Sequence, residues 1–244
     1  MATSVGAVTP QVAGVVLEGV AHAYGDVQAL ADVSLRVAPG EVVAVVGPSG
    51  CGKSTLLDLV CGLVAPQAGS VRAPRAVLMP QRDQLLPWLT AEDNAALALR
   101  IGGASVKAAR AAARPLLEEL GLAGFERARP AELSGGMRQR VAFARTLLAG
   151  APLLCLDEPF GALDAITRAD AQAWLADALR RTPRTVLLVT HDVEEAVLLA
   201  DTVLVLSPRP GRVLRTIPVG LPRPRVATDA GVVALRAEAL AAMR

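Results

Sequence analysis

Apolar and polar positions along this chain fall into three regimes. From about Val15 to Met79, short runs rich in β-branched residues, "GVVLEGV", "SLRVAPGEVVAVVG" and "RAVLM", alternate with turns. They predict strands, with a single helix after a glycine-rich loop. Between about Leu89 and Ala131 the pattern changes to Ala, Leu, Arg and Glu at helical spacing, and strand-forming runs are absent. The longest such stretch, "SVKAARAAARPLLEELGL", contains Pro115, which is expected to kink or split its helix. After "AELSGGMRQR" the alternation resumes: a helix to Ala149, a strand "LLCLD", a helix from Ala165 to Arg180, a strand "TVLLVTH", a helix from Val193 to Ala200 and a strand "TVLVL". Continuous Val/Leu strands separated by helices are what a parallel sheet covered on both faces requires. The pattern therefore predicts an α/β core interrupted by a helical insertion. At the end, "RVLRTIPVGLPRPRVATD" reads as a return strand followed by a solvated Arg/Pro segment, and "DAGVVALRAEALAAMR" as a short terminal helix.

Composition changes this picture at one point only. With 52% hydrophobic residues over 244 positions and a mean hydropathy of +0.42, the chain raises the question of a membrane protein. The excess is largely alanine. Charge, proline or glycine cuts every long apolar run well short of the roughly 18 residues that a spanning helix needs; Arg145 and Pro152 bracket one run and Asp201 cuts another. The opening "MATSVGAVTPQ" has no basic segment followed by an apolar one, so a cytosolic chain without a signal peptide is expected. A net charge of +2 makes no bulk case for nucleic-acid binding. Cys51, Cys61 and Cys155 lack the paired spacing of a metal site and read as reduced thiols.

The chemistry starts at "GPSGCGKST", Gly47 to Thr55, between the apolar run Val42 to Val46 and the start of a helix. Gly47, Gly50, Gly52, Lys53 and Ser54 fit the G-x-x-x-x-G-K-[ST] loop, whose glycines let the backbone fold around an anion and turn N–H groups inward. The helix behind it points its positive dipole end at the same place. Lys53 is expected to reach the β- and γ-phosphates of a nucleotide and Ser54 to ligate Mg²⁺. A plain glycine-rich turn is the competing reading, and the strand–loop–helix context weighs against it. About a hundred positions on, "LLCLDEP" ends an apolar strand in Asp157 and Glu158. Two acids at a buried strand end call for a counter-ion, because desolvating a carboxylate costs several kcal/mol. A magnesium ion held through water by Asp157, with Glu158 polarising the attacking water, meets that need; two solvated turn residues is the alternative.

With "LSGGMRQR" (Leu133 to Arg140) added to these two motifs, the chain resembles, over essentially its whole length, the ATPase subunit of an ATP-binding cassette transporter. The resemblance implies a P-loop NTPase core, mostly parallel sheet with flanking helices and an N-terminal antiparallel part, carrying an inserted α-helical subdomain. In this chain residues 1–81 and 132–225 would form the core, 82–131 the helical subdomain and 226–244 a tail. It further implies a head-to-tail homodimer that sandwiches two ATP molecules, in which Ser134, Gly135 and Gly136, ahead of a helix expected to begin near Met137, serve the partner's γ-phosphate. By the same resemblance Gly47, Pro48, Ser49, Gly50, Cys51, Gly52, Lys53, Ser54 and Thr55 cradle the nucleotide and Tyr24 stacks on adenine. Gln81 approaches Mg²⁺ and the attacking water, His191 contacts the γ-phosphate, and Asp164 in "GALD" crosses the dimer interface. Many relatives have Ser where this chain has Gly161. Cys51, placed in the loop, is expected to be shielded from alkylation by Mg-ATP.

The permeation path would belong to separate membrane subunits. Trp88 in "LLPWLT" is either an anchor for such a partner or a plug of the helical subdomain, and Trp174 is expected in the core. The motifs "LLPWLT", "EPFGALDAITR" and "SPRPGRV" narrow the resemblance to importer ATPases of the nitrate, sulfonate and taurine group, which work at the cytoplasmic face of the membrane and depend on an external periplasmic or lipid-anchored solute-binding protein. The stretch between Gly69 and Gln81 is shorter than in most relatives, so part of a β-hairpin is expected to be trimmed. Two rivals are a soluble cassette ATPase of translation or DNA repair, which usually carries two cassettes or a long insertion, and a P-loop kinase, which has no use for "LSGGMRQR" or "DEPFGALD".

Overall fold

Five consecutive small or β-branched residues make β3 (Val42–Val46) a strand that is buried along its whole length. Alternate side chains serve opposite faces of a strand. Accordingly Val42, Ala44 and Val46 enter one apolar core, and Val43 and Val45 enter another. In a computed structural model, which describes residues 14–161, 163–181 and 183–243, β3 lies inside a six-stranded sheet of order β5-β6-β7-β3-β8-β9. The other members are β5 (Ala76–Met79), β6 (Leu153–Asp157), β7 (Thr185–Thr190), β8 (Thr202–Leu206) and β9 (Val213–Pro218). All pair in parallel except β9, which returns antiparallel to β8. A parallel sheet requires both faces covered.

One face is covered by α1 (Lys53–Val60) and by an antiparallel sheet of β2 (Val27–Val37), β1 (Val15–Tyr24) and β4 (Ala68–Arg72), with Leu17, Val33 and Leu35 packing near Leu56, Cys155 and Val189. On the other face lie α2 (Ala91–Ala95), α4 (Val106–Glu119), α5 (Gly135–Leu148), α6 (Ala165–Arg181), α7 (Val193–Leu199) and α8 (Ala230–Ala242). Helix α3 (Leu97–Ile101) links α2 to α4, and a 3-10 turn occupies Pro130–Glu132. Leu154 and Leu156 of β6 point to this second core and Leu153 and Cys155 to the first. Cutting a fully buried leucine such as Leu156 to alanine costs roughly 2–5 kcal/mol.

Three expectations need correction. Pro115 does not split its helix: α4 runs unbroken from Val106 to Glu119, capped by Ser105, whose hydroxyl accepts from Ala108 N–H at 3.3 Å. Helix α5 begins at Gly135 rather than near Met137, because Ser134 is the N-cap and Met137 N–H is the donor that its side chain satisfies. The segment from Gly69 to Gln81 holds no hairpin of its own; β4 joins β1 and β5 joins β6, so the two strands belong to different sheets.

Candidate functional site

The parallel strands end on one side, and there a cleft of about 350 Å³ opens. Its floor is the loop after β3, contributing Ser49, Gly50, Gly52, Lys53, Ser54 and Thr55. Gly52 has φ +103°, and a Cβ on it would lie 2.6 Å from Leu30 Cδ2 and 2.7 Å from Ala29 O, so the loop seats itself on β2 only because that position is glycine. Lys53 opens α1 with its side chain turned back along the loop. Its Nζ donates to Gly47 O at 2.8 Å and Pro48 O at 3.0 Å, and the residue is almost wholly buried. An ammonium held there and the N-terminal end of a helix place positive potential on the same spot. Tyr24, Val27 and Ala29, from the β1–β2 hairpin, make one wall; Tyr24 is half exposed and meets His22 edge to face at 4.8 Å.

Opposite this wall stand the carboxylates. Asp157, the last residue of β6, is buried, and desolvation pushes its pKa up; a hydrogen bond from Ser54 and the charge of Lys53 work against that, while Glu158 adds to it. Glu158 takes φ +48°, a conformation that costs a non-glycine residue about 1–2 kcal/mol. The sheet imposes it: Glu158 N–H donates to Val189 O at 2.8 Å, extending the β6–β7 ladder by one step before the chain turns away. Both of its carboxylate oxygens are engaged from neighbouring strand ends. Gln81 Nε2, just past β5, donates to Oε2 at 3.1 Å, and His191 Nδ1, just past β7, lies 3.1 Å from Oε1. Residues 54, 81, 157, 158 and 191 thus form one connected polar edge.

A phosphate loop, a strand-end acid pair and a glutamine and histidine on one carboxylate narrow the family sharply, and the profile of the ABC transporter family matches residues 30–161. The chain belongs to the ABC transporter family. Relatives of this ABC protein include the aliphatic sulfonates import ATP-binding protein SsuB 2 of Burkholderia lata, 48% identical over 91% of this chain and 83% of that protein. Another is SsuB 1 of Rhodococcus jostii, 47% identical over 93% and 92%. The taurine import ATP-binding protein TauB of Burkholderia pseudomallei is 49% identical over 78% and 76%. Among solved structures, a dimeric post-hydrolysis ATP-binding cassette bound to ADP and Pi is 31% identical, with a TM-score of 0.77 over 84% of this chain and 98% of that one. The fold of this ABC protein is accordingly that of a P-loop NTPase, with mixed sheets between helices.

The remaining expected residues of the ABC cassette lie elsewhere or face another way. Ser134 and Gly135 are exposed at the start of α5, outside the cleft. Gly136 is half-buried in the same turn. Asp164 is exposed and caps α6, accepting from Ile166 N–H, Thr167 N–H and the Thr167 hydroxyl, which together lower its pKa. Helix α5 is nonetheless tied to the carboxylate edge: Gln139 Nε2 donates to Pro159 O at 3.1 Å, and Arg138 Nε to Asp83 Oδ2 at 3.0 Å. Gly47 and Pro48 sit under the loop, where their carbonyls hold Lys53. The Cys51 thiol is fully buried in the core near Leu206, so its alkylation does not report on the cleft. Trp174 packs edge to face on Phe143 at 5.7 Å while its Nε1 donates to Glu119. Three cleft residues are not among those expected from the sequence: Val27 and Ala29 of β2, and Arg209, in the turn after β8. A larger groove of about 640 Å³ between α6, α7 and residues 223–227 contains none of these groups.

Proposed function

We propose that the protein is the ATP-hydrolysing subunit of an ABC importer, working as a head-to-tail homodimer at the cytoplasmic face of a membrane and bound to separate permease subunits. The observation that carries this is the carboxylate of Glu158 held between Gln81 and His191 at the edge of the Lys53 cleft. In this reading Lys53 leaves its two carbonyls for the β- and γ-phosphates, and residues 47–55 cradle them. Tyr24 takes the adenine. Glu158 draws the proton from the attacking water, oriented by Gln81, while His191 holds the γ-phosphate. Ser54, Asp157 and the amide oxygen of Gln81 are hard oxygen donors, few enough to suit a Mg²⁺ that keeps phosphate and water as its other ligands. When bound, that ion would neutralise phosphate charge and offset the burial that raises Asp157. Among the described residues no cluster of three or more His, Cys, Asp or Glu could hold a metal by itself.

Ser134, Gly135 and Gly136 would close on the partner's γ-phosphate, and Asp164 would lie at the same seam. Residues 1–81 and 132–225 act as the core in this scheme, 82–131 as the helical subdomain and 226–244 as its tail. A sulfonate or taurine-like solute, handed over by an external solute-binding protein, fits the relatives' names. No described helix is long and apolar enough to cross a membrane, which leaves the solute path to the permease.

Glu158→Gln tests the reading. Hydrolysis is expected to fall by roughly 10²- to 10⁴-fold, while Mg-ATP binding persists and light scattering shows a nucleotide-dependent dimer. Near-normal turnover would remove Glu158 as the base; a protein that stays monomeric with Mg-ATP even beside its membrane subunits would remove the dimer.

A further inference from the structure

The turn joining β8 to β9 has no part in the catalytic reading, yet it is built against the phosphate loop. It closes on itself: the Ser207 hydroxyl lies 2.8 Å from Pro208 O and 2.9 Å from Pro210 O and accepts from Arg212 N–H at 3.0 Å, while Ser207 N–H donates to Arg212 O at 2.9 Å. It is also clamped to β2, since Gly211 N–H donates to Ala29 O at 2.9 Å and Gly211 O accepts from Ala31 N–H at 3.0 Å. A Cβ at Gly211 would lie 2.2 Å from Cys51 O, so turn and loop touch backbone to backbone. At the tip, Arg209 Nε donates to Gly50 O at 3.0 Å. The guanidinium lines the cleft, and its two terminal nitrogens have neither a carboxylate nor a carbonyl partner among the described residues. A guanidinium oriented by one N–H presents its remaining pair in the fork that matches phosphate oxygens.

We propose that Arg209 is a nucleotide-binding residue whose terminal N–H groups pair with the phosphates of ATP, as a second cation beside Lys53. This rests on the cleft being the ATP site. The turn positions the guanidinium on the same rigid frame as Gly50 and Ala29, so nucleotide meets it without rearrangement of the sheet.

The experiment uses the full chain with Arg209→Gln, which removes the charge but keeps an N–H donor for Gly50 O, beside Arg209→Lys and Lys53→Ala. The Kd of Mg-ATP is followed by calorimetry across a salt series, with kcat and KM alongside. Loss of a charge-assisted phosphate contact is expected to weaken binding about tenfold at low salt. Screening should shrink that difference as salt rises, with KM raised, kcat unchanged and partial recovery in Arg209→Lys. If Arg209→Gln binds as tightly as the parent while Lys53→Ala fails to bind, the proposal falls and the ATP site stands. Weaker binding with an unaltered salt dependence also overturns it, reducing Arg209 to a support of the loop or a stacking surface for adenine. If Lys53→Ala binds normally, the cleft itself has been misassigned and the proposal falls with it.

Discussion

Glu195 on α7 is 4% exposed, one of its oxygens has no partner among the described residues, and the other has Gln172 Nε2 at 3.4 Å. Burial first, and then the charge of Asp192, push its pKa up to about 7, against the nearby Thr190 hydroxyl and Gln172 amide and the charge of Arg168. The folded state keeps this proton at a pH where the unfolded chain has released it. The group's contribution to stability is therefore complete below about pH 4.5 and lost as pH rises through about 7. Glu195→Gln is expected to stabilise the nucleotide-free protein at pH 8 by up to roughly 3 kcal/mol, with the gap closing as pH falls towards 5. Thermal unfolding curves of both proteins across that range check it; parallel curves would show that burial leaves this carboxyl untouched. Much of the cleft was legible one residue at a time, because Lys53 opens a helix, Asp157 ends a strand, and Glu158, Gln81 and His191 each follow closely on the end of one, in a recognisable local context. Arg209 was not: nothing in "SPRPGR" announces that residue 209 rests on Gly50, a contact created by β8 lying beside β3.

Where periodicity was strong, the elements could be read directly. The strands Leu153–Asp157 and Thr185–Thr190 are buried along their whole length and apolar except at their ends, because both faces are covered. The first hairpin was only partly legible: β2 starts at Val27, across a two-residue Gly25–Asp26 connection, and its first half holds alanine and glutamine where β-branched residues would have marked a strand. Pro115 shows the opposite failure, a breaker overruled by context. Its exposed ring faces solvent, whereas Ala109, Ala113 and Leu117 bury the other side of α4 and hold the helix together. The missing N–H and the crowding at the carbonyl four residues back remain a local burden. Pro115→Ala should therefore raise stability by about 1–3 kcal/mol, seen as a higher Tm. An unchanged or lower Tm would mean that α4 needs the proline.

Across the whole molecule, the segment between β5 and α2 presents an aromatic outward. Trp88 is 67% exposed, which argues against its packing as a plug of the helical subdomain. It does not hang on a loose loop: buried Asn94 accepts from Leu86 N–H at 2.8 Å and donates to Leu86 O, Leu89 O and Thr90 O, fixing the residues on either side. An aromatic so held suits a partner's pocket. Trp88→Ala is expected to leave ATP hydrolysis and Tm of the isolated cassette unchanged, while co-purification with the permease drops by roughly tenfold or more. A fall in Tm with association intact would return Trp88 to the subdomain. The position of β3 has a different consequence, for the history of each copy. It ends at Val46, but the strands that cover its two edges begin only at Thr185 and Thr202. On the ribosome this greasy ribbon emerges long before its neighbours exist, and such late, distant pairing makes folding slow and sticky. A chain released early, short of Thr185, is then destined for chaperones or inclusion bodies rather than for the membrane.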